Sequence, residues 1–336
     1  MMKRFLRTAC CALLMAAAFT TSVLADDFDW SEVLHTETNA IYKTTFTPFD
    51  SAQNELMNQY SVPGEAETTS GGVTVKVNRI LGDRYQAYIV IDIINDNGKP
   101  FKGDKYSIYP YYMKMDALGL PRPVRMFDQD YRITGNEDNY FTGCGAVLEF
   151  INEDTTDNKI QMICHIGSDQ TSGTDYNYET IIGKKVVFHL EDIAEVASGT
   201  RDFSDIESYK SISNGVWDLE VVLDYPDISK EYEVNSETFT AYSQGRDRKM
   251  RVDKALITPL CVYVKGYVER RDGERVGGEP VLVKMRNGKI TKDLSPSVLG
   301  STTQCWATPI DGLIDLENEG DGVQSLVMAG HEISLK

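Results

Sequence analysis

Six cysteines occur in the 336 residues, and four of them lie beyond residue 25: Cys144, Cys164, Cys261 and Cys305. A cysteine can act as a nucleophile, a metal ligand, half of a redox dithiol or half of a structural disulfide. No two of these stand at C-x-x-C spacing, which argues against the dithiol. The sequence around the first pair favours a structural bond. Residues 144–150 and 160–164 read as two strands of a hairpin turning at Glu153–Asn158. Pairing Leu148 with Ile160 and Ala146 with Met162 sets Cys144 opposite Cys164, where facing Cβ atoms can approach disulfide geometry. The closed loop of about 20 residues corresponds to roughly 3 kcal/mol in the chain-entropy account. Four cysteines allow three connectivities. The expectation is one bond per domain, Cys144–Cys164 and Cys261–Cys305.

Other chemistry-bearing residues do not assemble into a site. His35, His165, His189 and His331 are isolated, apart from His165 beside Cys164, and a structural zinc site needs about four converging ligands. Asp315 to Gly320 (DLENEG) begins like a calcium loop, but its twelfth position is Leu326, where a bidentate glutamate is required. Serine nucleophile elbows and glycine-rich phosphate loops are absent. The sequence therefore implies no catalytic, cofactor or metal-binding residues and a non-enzymatic protein. The alternative is an enzyme acting on envelope polymer through carboxylates that no motif singles out.

Two stretches suggest an interaction surface. Tyr106, Tyr109, Tyr111 and Tyr112 crowd around Pro110. Tyrosines suit protein or sugar contact because they are rigid and amphipathic, although alternation along a strand places half of them in a core. Arg246, Arg248, Lys249, Arg251 and Lys254 form the basic cluster. It fits an acidic partner or a solvated edge strand, which cations commonly protect.

Residues 1–25 have the three parts of a secretory signal: Lys3, Arg4 and Arg7, then an apolar run from Ala9 to Val23, then Val23-Leu24-Ala25 as a small-residue cleavage site. Cleavage is expected after Ala25, giving a secreted or extracytoplasmic, cell-surface-associated chain. The apolar run is short for a span of about 20 residues, and an uncleaved anchor is the alternative, the one route to membrane attachment. Without its three cations, the remaining chain carries 31 Lys+Arg against 51 Asp+Glu, a formal charge of −20. That excludes nucleic acid as a main partner, because neutralising phosphates needs a basic footprint. A protein or glycan of the cell envelope is the expected partner.

The elements that would position these residues are strands. After an N-terminal segment (26–70) with a short helix near Asn54–Tyr60, the period becomes two. Val73, Val75 and Val77 share one face. Tyr85, Ala87, Ile89, Ile91 and Ile93 share another, alternating with Gln86, Tyr88, Val90 and Asp92. Further strands are predicted over 107–115, 146–151, 159–166, 186–190 and 217–223, with Trp217, Leu219, Val221 and Leu223 facing in. Asn97-Gly98, Asp272-Gly273 and Asn287-Gly288 mark hairpins. A second run begins near Thr238, where Leu260, Val262 and Val264 alternate with Tyr263 and Lys265, and ends over 323–335. The expectation is an all-β chain with one β-sandwich over 71–240 and a second over 241–336.

Several of these stretches together resemble a known family, the extracytoplasmic domain of unknown function found on membrane-bound anti-sigma factors and related exported proteins of Gram-positive bacteria. The matching pieces are the helix Asn54–Tyr60, GVTVKVN over 72–78, and Asp83 before the strand to Ile94. GVWDL over 215–219, ITPL over 257–260 and the terminus from Val323 to Leu335 complete the match. The resemblance spans about residues 50–336 and implies tandem immunoglobulin-like sandwiches with an envelope sensing or interaction role. Eight residues precede the apolar run, with no cytoplasmic sigma-binding segment among them, so direct sigma-factor control is not implied.

Overall fold

Period-two segments become antiparallel sheets. The computed structural model describes residues 28–30, 51–101, 108–109, 133–134, 144–152, 157–168, 180–196, 209–235, 237–272, 274, 279–293, 305–311, 314, 316 and 322–336. Helix α1 (Ser51–Tyr60) is followed by β1 (Val62–Pro63), β2 (Glu67–Ser70), β3 (Val73–Gly82) and β4 (Gln86–Asn95). Next come β5 (Ile108–Tyr109), β6 (Ile133–Thr134), β7 (Cys144–Asn152), β8 (Lys159–Ser168), β9 (Lys185–Val196) and β10 (Tyr209–Val222). One sheet runs β1-β3-β4-β8-β7, with β2 also on β3, and the other runs β10-β9-β5, with β6 on β9.

These two sheets close on one core. Val75 and Val77 of β3, Ile89 and Ile91 of β4, and Met162 of β8 meet Phe188 of β9 and Trp217 and Leu219 of β10. The alternation predicted for β10 is the alternation observed, and in β4 the predicted inward residues Ala87, Ile89, Ile91 and Ile93 line this core, because each inner face is sealed by the opposite sheet. Trp217 sits at the centre, fully buried, and its indole N–H donates to the Val73 carbonyl at 2.8 Å.

The remaining strands are β11 (Lys230–Glu233), β12 (Phe239–Ser243), β13 (Arg246–Ile257), β14 (Cys261–Val268), β15 (Val281–Met285), β16 (Lys292–Asp293), β17 (Cys305–Asp311), β18 (Val323–Met328) and β19 (His331–Ser334). They form a sheet of order β11-β13-β14-β17-β16, with β12 on β13, and a second of order β15-β18-β19. Met250, Val252 and Val264 of the first pack against Val283, Leu326 and Ile333 of the second. The chain is thus all-β and sandwich-like, with two separately closed apolar cores.

Turn chemistry is partly as predicted. At Asn287-Gly288 the glycine takes φ 85°, Gly288 N–H donates to the Met285 carbonyl at 2.9 Å, and the chain doubles back with Lys284 bridged to Ile290. At Asn97-Gly98 the glycine also has positive φ, 72°, but no hairpin follows. The partners of β4 are β3 and β8, so this turn ends the strand and redirects the chain.

Candidate functional site

The predicted cysteine geometry is not what the strands adopt. Strands β7 and β8 do pair antiparallel, yet in a register that sets Cys144 opposite Ser168 and Cys164 opposite Leu148. The two cysteines are therefore four residues out of step, about 13 Å along the strand, beyond the Cα separation of about 7 Å that a disulfide spans. A bulge between Phe150 and Asn152 shifts the pairing by one residue near the turn. Hydrophobic alternation is satisfied equally by registers that differ by an even number of residues, which is why the sequence did not discriminate them. Cys164 is a free thiol inside the first core. In the second sandwich, Cys261 opposes Pro309 while Cys305 opposes Lys265, again four residues out of step, and Cys261 is free and buried. Neither predicted bond forms.

Cys261 instead belongs to a polar knot between the two sandwiches, centred on Asp83. This residue lies in the turn between β3 and β4 and is fully buried. Its carboxylate accepts hydrogen bonds from the backbone N–H groups of Tyr85 (2.8 Å) and Gln86 (3.0 Å), and from the Gln86 amide at 3.3 Å. From the other sandwich the Tyr263 hydroxyl donates to it, 3.0 and 3.1 Å from the two oxygens, and the Thr258 hydroxyl adds a further bond. The Tyr225 hydroxyl donates to the Asp83 carbonyl at 3.0 Å. Tyr85 and Tyr263 meet edge to face at 4.9 Å. Outside the knot Arg84 grips Asp227 at 2.8 Å and Glu231 at 2.5 Å.

Burial raises the Asp83 carboxyl above its ordinary range, against the opposing pull of its hydrogen bonds. Burial, with the nearby Asp83 charge, pushes the Cys261 thiol well up. A thiol shifted in that direction is a poor nucleophile. The arrangement fastens one sandwich to the other. Asp83 precedes the strand that the sequence singled out, but its partners are 175 to 180 positions away (Thr258 and Tyr263), and no local pattern announces them.

The basic cluster divides. Arg248 is buried on the inner side of β13. It donates to the carbonyls of Ser243 (3.1 Å) and Glu269 (2.9 Å) and to both oxygens of Glu274 (2.6 and 3.0 Å). Arg246 reaches the same carboxylate at 3.0 Å. These two arginines hold the Glu274 carboxyl far below the usual carboxylate range. They are structural, fixing the β12–β13 turn to the segment after β14. Lys249 and Arg251 point the other way, onto the outer face of the sheet. Arg251 lies directly opposite Tyr267 of β14, and Tyr242 of β12 lies opposite Asp247. Tyr242 is 71% exposed and Tyr267 40%. Lys249 and Lys265 are exposed on the same face, where Arg251 pairs with Asp253 at 2.7 Å and Glu269 lies beside Lys249, so two tyrosines about 16 Å apart by strand geometry flank a patch of mixed charge.

Of the earlier tyrosine group, Tyr109 lies in β5, paired with Ala194. Tyr106, Tyr111 and Tyr112 lie outside the described residues.

A cleft of about 420 Å³ opens at one end of the first sandwich between Gly71, Asn95, Asp96, Asn97, Phe101 and Ser213. Its polar groups serve the turns around it. Thr74 donates to Asp96 at 2.7 Å, Asn97 accepts from Lys99 N–H at 2.8 Å, and Ser213 donates to the Gly71 carbonyl at 3.0 Å. Among the described residues no group of three or more His, Cys, Asp or Glu converges as a metal site. Among them, also, no helix is long and apolar enough to cross a membrane.

No protein-family model and no curated protein matches the chain. Among solved structures it is similar to one described as the conserved domain protein from Bacillus anthracis, with a TM-score of 0.46 and 14% identity over 88% of this chain and 82% of that one.

Proposed function

We propose that this chain is an exported, non-enzymatic binding or sensing protein of the cell envelope, built from tandem immunoglobulin-like sandwiches, whose partner is an acidic envelope glycan. The observation that carries this reading is the outer face of the second sandwich. There Tyr242 and Tyr267 expose flat amphipathic rings beside Lys249, Lys265 and Arg251, in a chain whose formal charge is −17. Tyrosine rings stack on sugar faces at little entropic cost, and ammonium and guanidinium groups complement carboxylate or phosphate substituents. The export component rests on residues 1–25 alone, since the two buried thiols give it no support.

The test is co-sedimentation of the chain from residue 26 onward with purified acidic and neutral envelope glycans at two salt concentrations. Retention on the acidic polymer should weaken with salt and drop at least tenfold in a Tyr242→Ala, Tyr267→Ala double variant. Retention that ignores the double substitution would remove this face from consideration. Release of soluble fragments from the polymer would favour the enzymatic alternative.

A further inference from the structure

A third apolar cluster lies apart from both sandwich cores and contains the earliest described residues of the chain. Trp30 is fully buried there with Met57 and Tyr60 of α1, Leu81 of β3, Val90 of β4, Ile163 of β8 and Leu260 of the β13–β14 turn. The site is thus walled by the outer face of the first sandwich, by the helix and by one residue of the second sandwich.

The way the segment is held differs from ordinary core packing. Asn54 and Asn58 are one helical turn apart and therefore share a face of α1. The Asn58 amide reads both backbone groups of Phe28, accepting from its N–H at 3.2 Å and donating to its carbonyl at 2.7 Å. The Asn54 carbonyl accepts from Trp30 N–H at 2.8 Å. The Phe28 ring meets the Trp30 ring edge to face at 5.0 Å. Side-chain amides satisfying a short peptide's backbone, with pockets for alternate side chains, is the division of labour found in peptide recognition. The indole Nε1 is buried with no hydrogen-bond partner, an unpaired donor that opposes burial and so weakens the hold. Neither sandwich core draws on residues 28–30.

We infer that this groove is a recognition site for a Phe-x-Trp peptide, occupied in the structure by the chain's own Phe28-Asp29-Trp30 as a releasable latch. The latch begins three residues after Ala25, the last residue of the signal-like segment, and 20 residues separate Trp30 from Ser51 of α1. While the segment is covalently attached it competes with any outside peptide at an effective concentration in the mM range.

The experiment uses the chain from residue 26 onward and a fluorescently labelled peptide of residues 26–32 (DDFDWSE). A Trp30→Ala chain should bind the peptide saturably and at least tenfold more tightly than the wild-type chain, whose groove is filled. Adding Asn58→Ala to that chain should weaken binding at least fivefold, and a peptide with alanine at the tryptophan position should not bind. Equal binding to wild-type and Trp30→Ala chains, or none to a folded Trp30→Ala chain, overturns the proposal. Should Trp30→Ala fail to fold, a wild-type chain carrying a protease site within 34–44 decides. After cleavage and dilution, release of the N-terminal fragment from a still-folded body supports the latch. A fragment that stays bound at every dilution, or leaves only on unfolding, makes Trp30 ordinary core and overturns it.

Discussion

The hydroxyl of Tyr263 donates to the carboxylate of Asp83, 180 positions earlier in the chain, at 3.0 Å. Both groups are buried, one in each sandwich. A carboxylate in that position tolerates burial only because its oxygens are saturated with donors. The contact therefore fixes how the sandwiches meet, since a displaced Tyr263 leaves a buried acceptor short of a partner.

Tyr263→Phe should lower stability by about 2 kcal/mol, within the usual range for a hydrogen bond to a charged group. For a chain of this size that corresponds to a fall in Tm of about 3 °C. Thermal unfolding followed by circular dichroism measures it. A shift below 1 °C would mean the two sandwiches are not coupled through this bond.

The pH dependence of stability should contain two opposed contributions. Asp83 is raised above its ordinary 3.8 by burial, so the folded state holds its proton more tightly than the unfolded chain. Its contribution is most favourable at and below that value and is lost as pH rises through the folded-state pKa. Glu274 is lowered from 4.5 by Arg248 and Arg246, so its contribution is present above 4.5 and is lost as pH falls. Urea titrations across pH should show Asp83→Asn removing the first slope and Glu274→Gln removing the second. An Asp83→Asn chain with the wild-type slope above pH 4 would refute the assignment.

The buried thiols should be inert. Burial pushes Cys164 and Cys261 upward, away from thiolate formation at neutral pH. Iodoacetamide should leave both unmodified in the folded chain at pH 8 and alkylate both in denaturant, as read by peptide mass mapping. Peptides cross-linked at 144–164 or 261–305 would restore the disulfides that the strand registers exclude.

Gly82 should be intolerant of any side chain. A Cβ placed there collides with the Tyr225 ring and hydroxyl and comes within 2.8 Å of the Gln86 carbonyl. That ring anchors the backbone of Asp83. Gly82→Ala should cost about 1–3 kcal/mol, the range for overpacking a filled site, and Tyr225→Phe should cost less. Equal losses would point to the hydroxyl and not the close approach.

Much of the strand pattern was legible, and the reason is local. Where one face of a strand meets a core and the other meets water, alternation records it, as in Ala87, Ile89, Ile91 and Ile93 or in Trp217, Leu219 and Val221. The pattern misled where both faces are covered. Tyr263 reads as outward between Val262 and Val264, yet Cys261 through Val264 are all buried because the seam caps that end of β14. Val90 reads as outward and is buried beneath Trp30 and α1. The arginine cluster is one run in sequence, but alternation along β13 sends Arg248 inward to Glu274 and Lys249 outward to solvent.

The sequence by itself determined that this chain is all-β, where several of its longer strands lie, and which residues line many of the inner faces, because those properties follow from period, turn chemistry and burial within a few residues. Tertiary structure alone decided the strand registers, the fate of the cysteines, the docking of Phe28 and Trp30 on Asn54 and Asn58, and the burial of Asp83 beneath Tyr263. Each of these depends on which elements approach from elsewhere in the chain. An even-residue slip preserves every hydrophobic face, and a buried carboxylate is defined by donors that arrive from another sandwich.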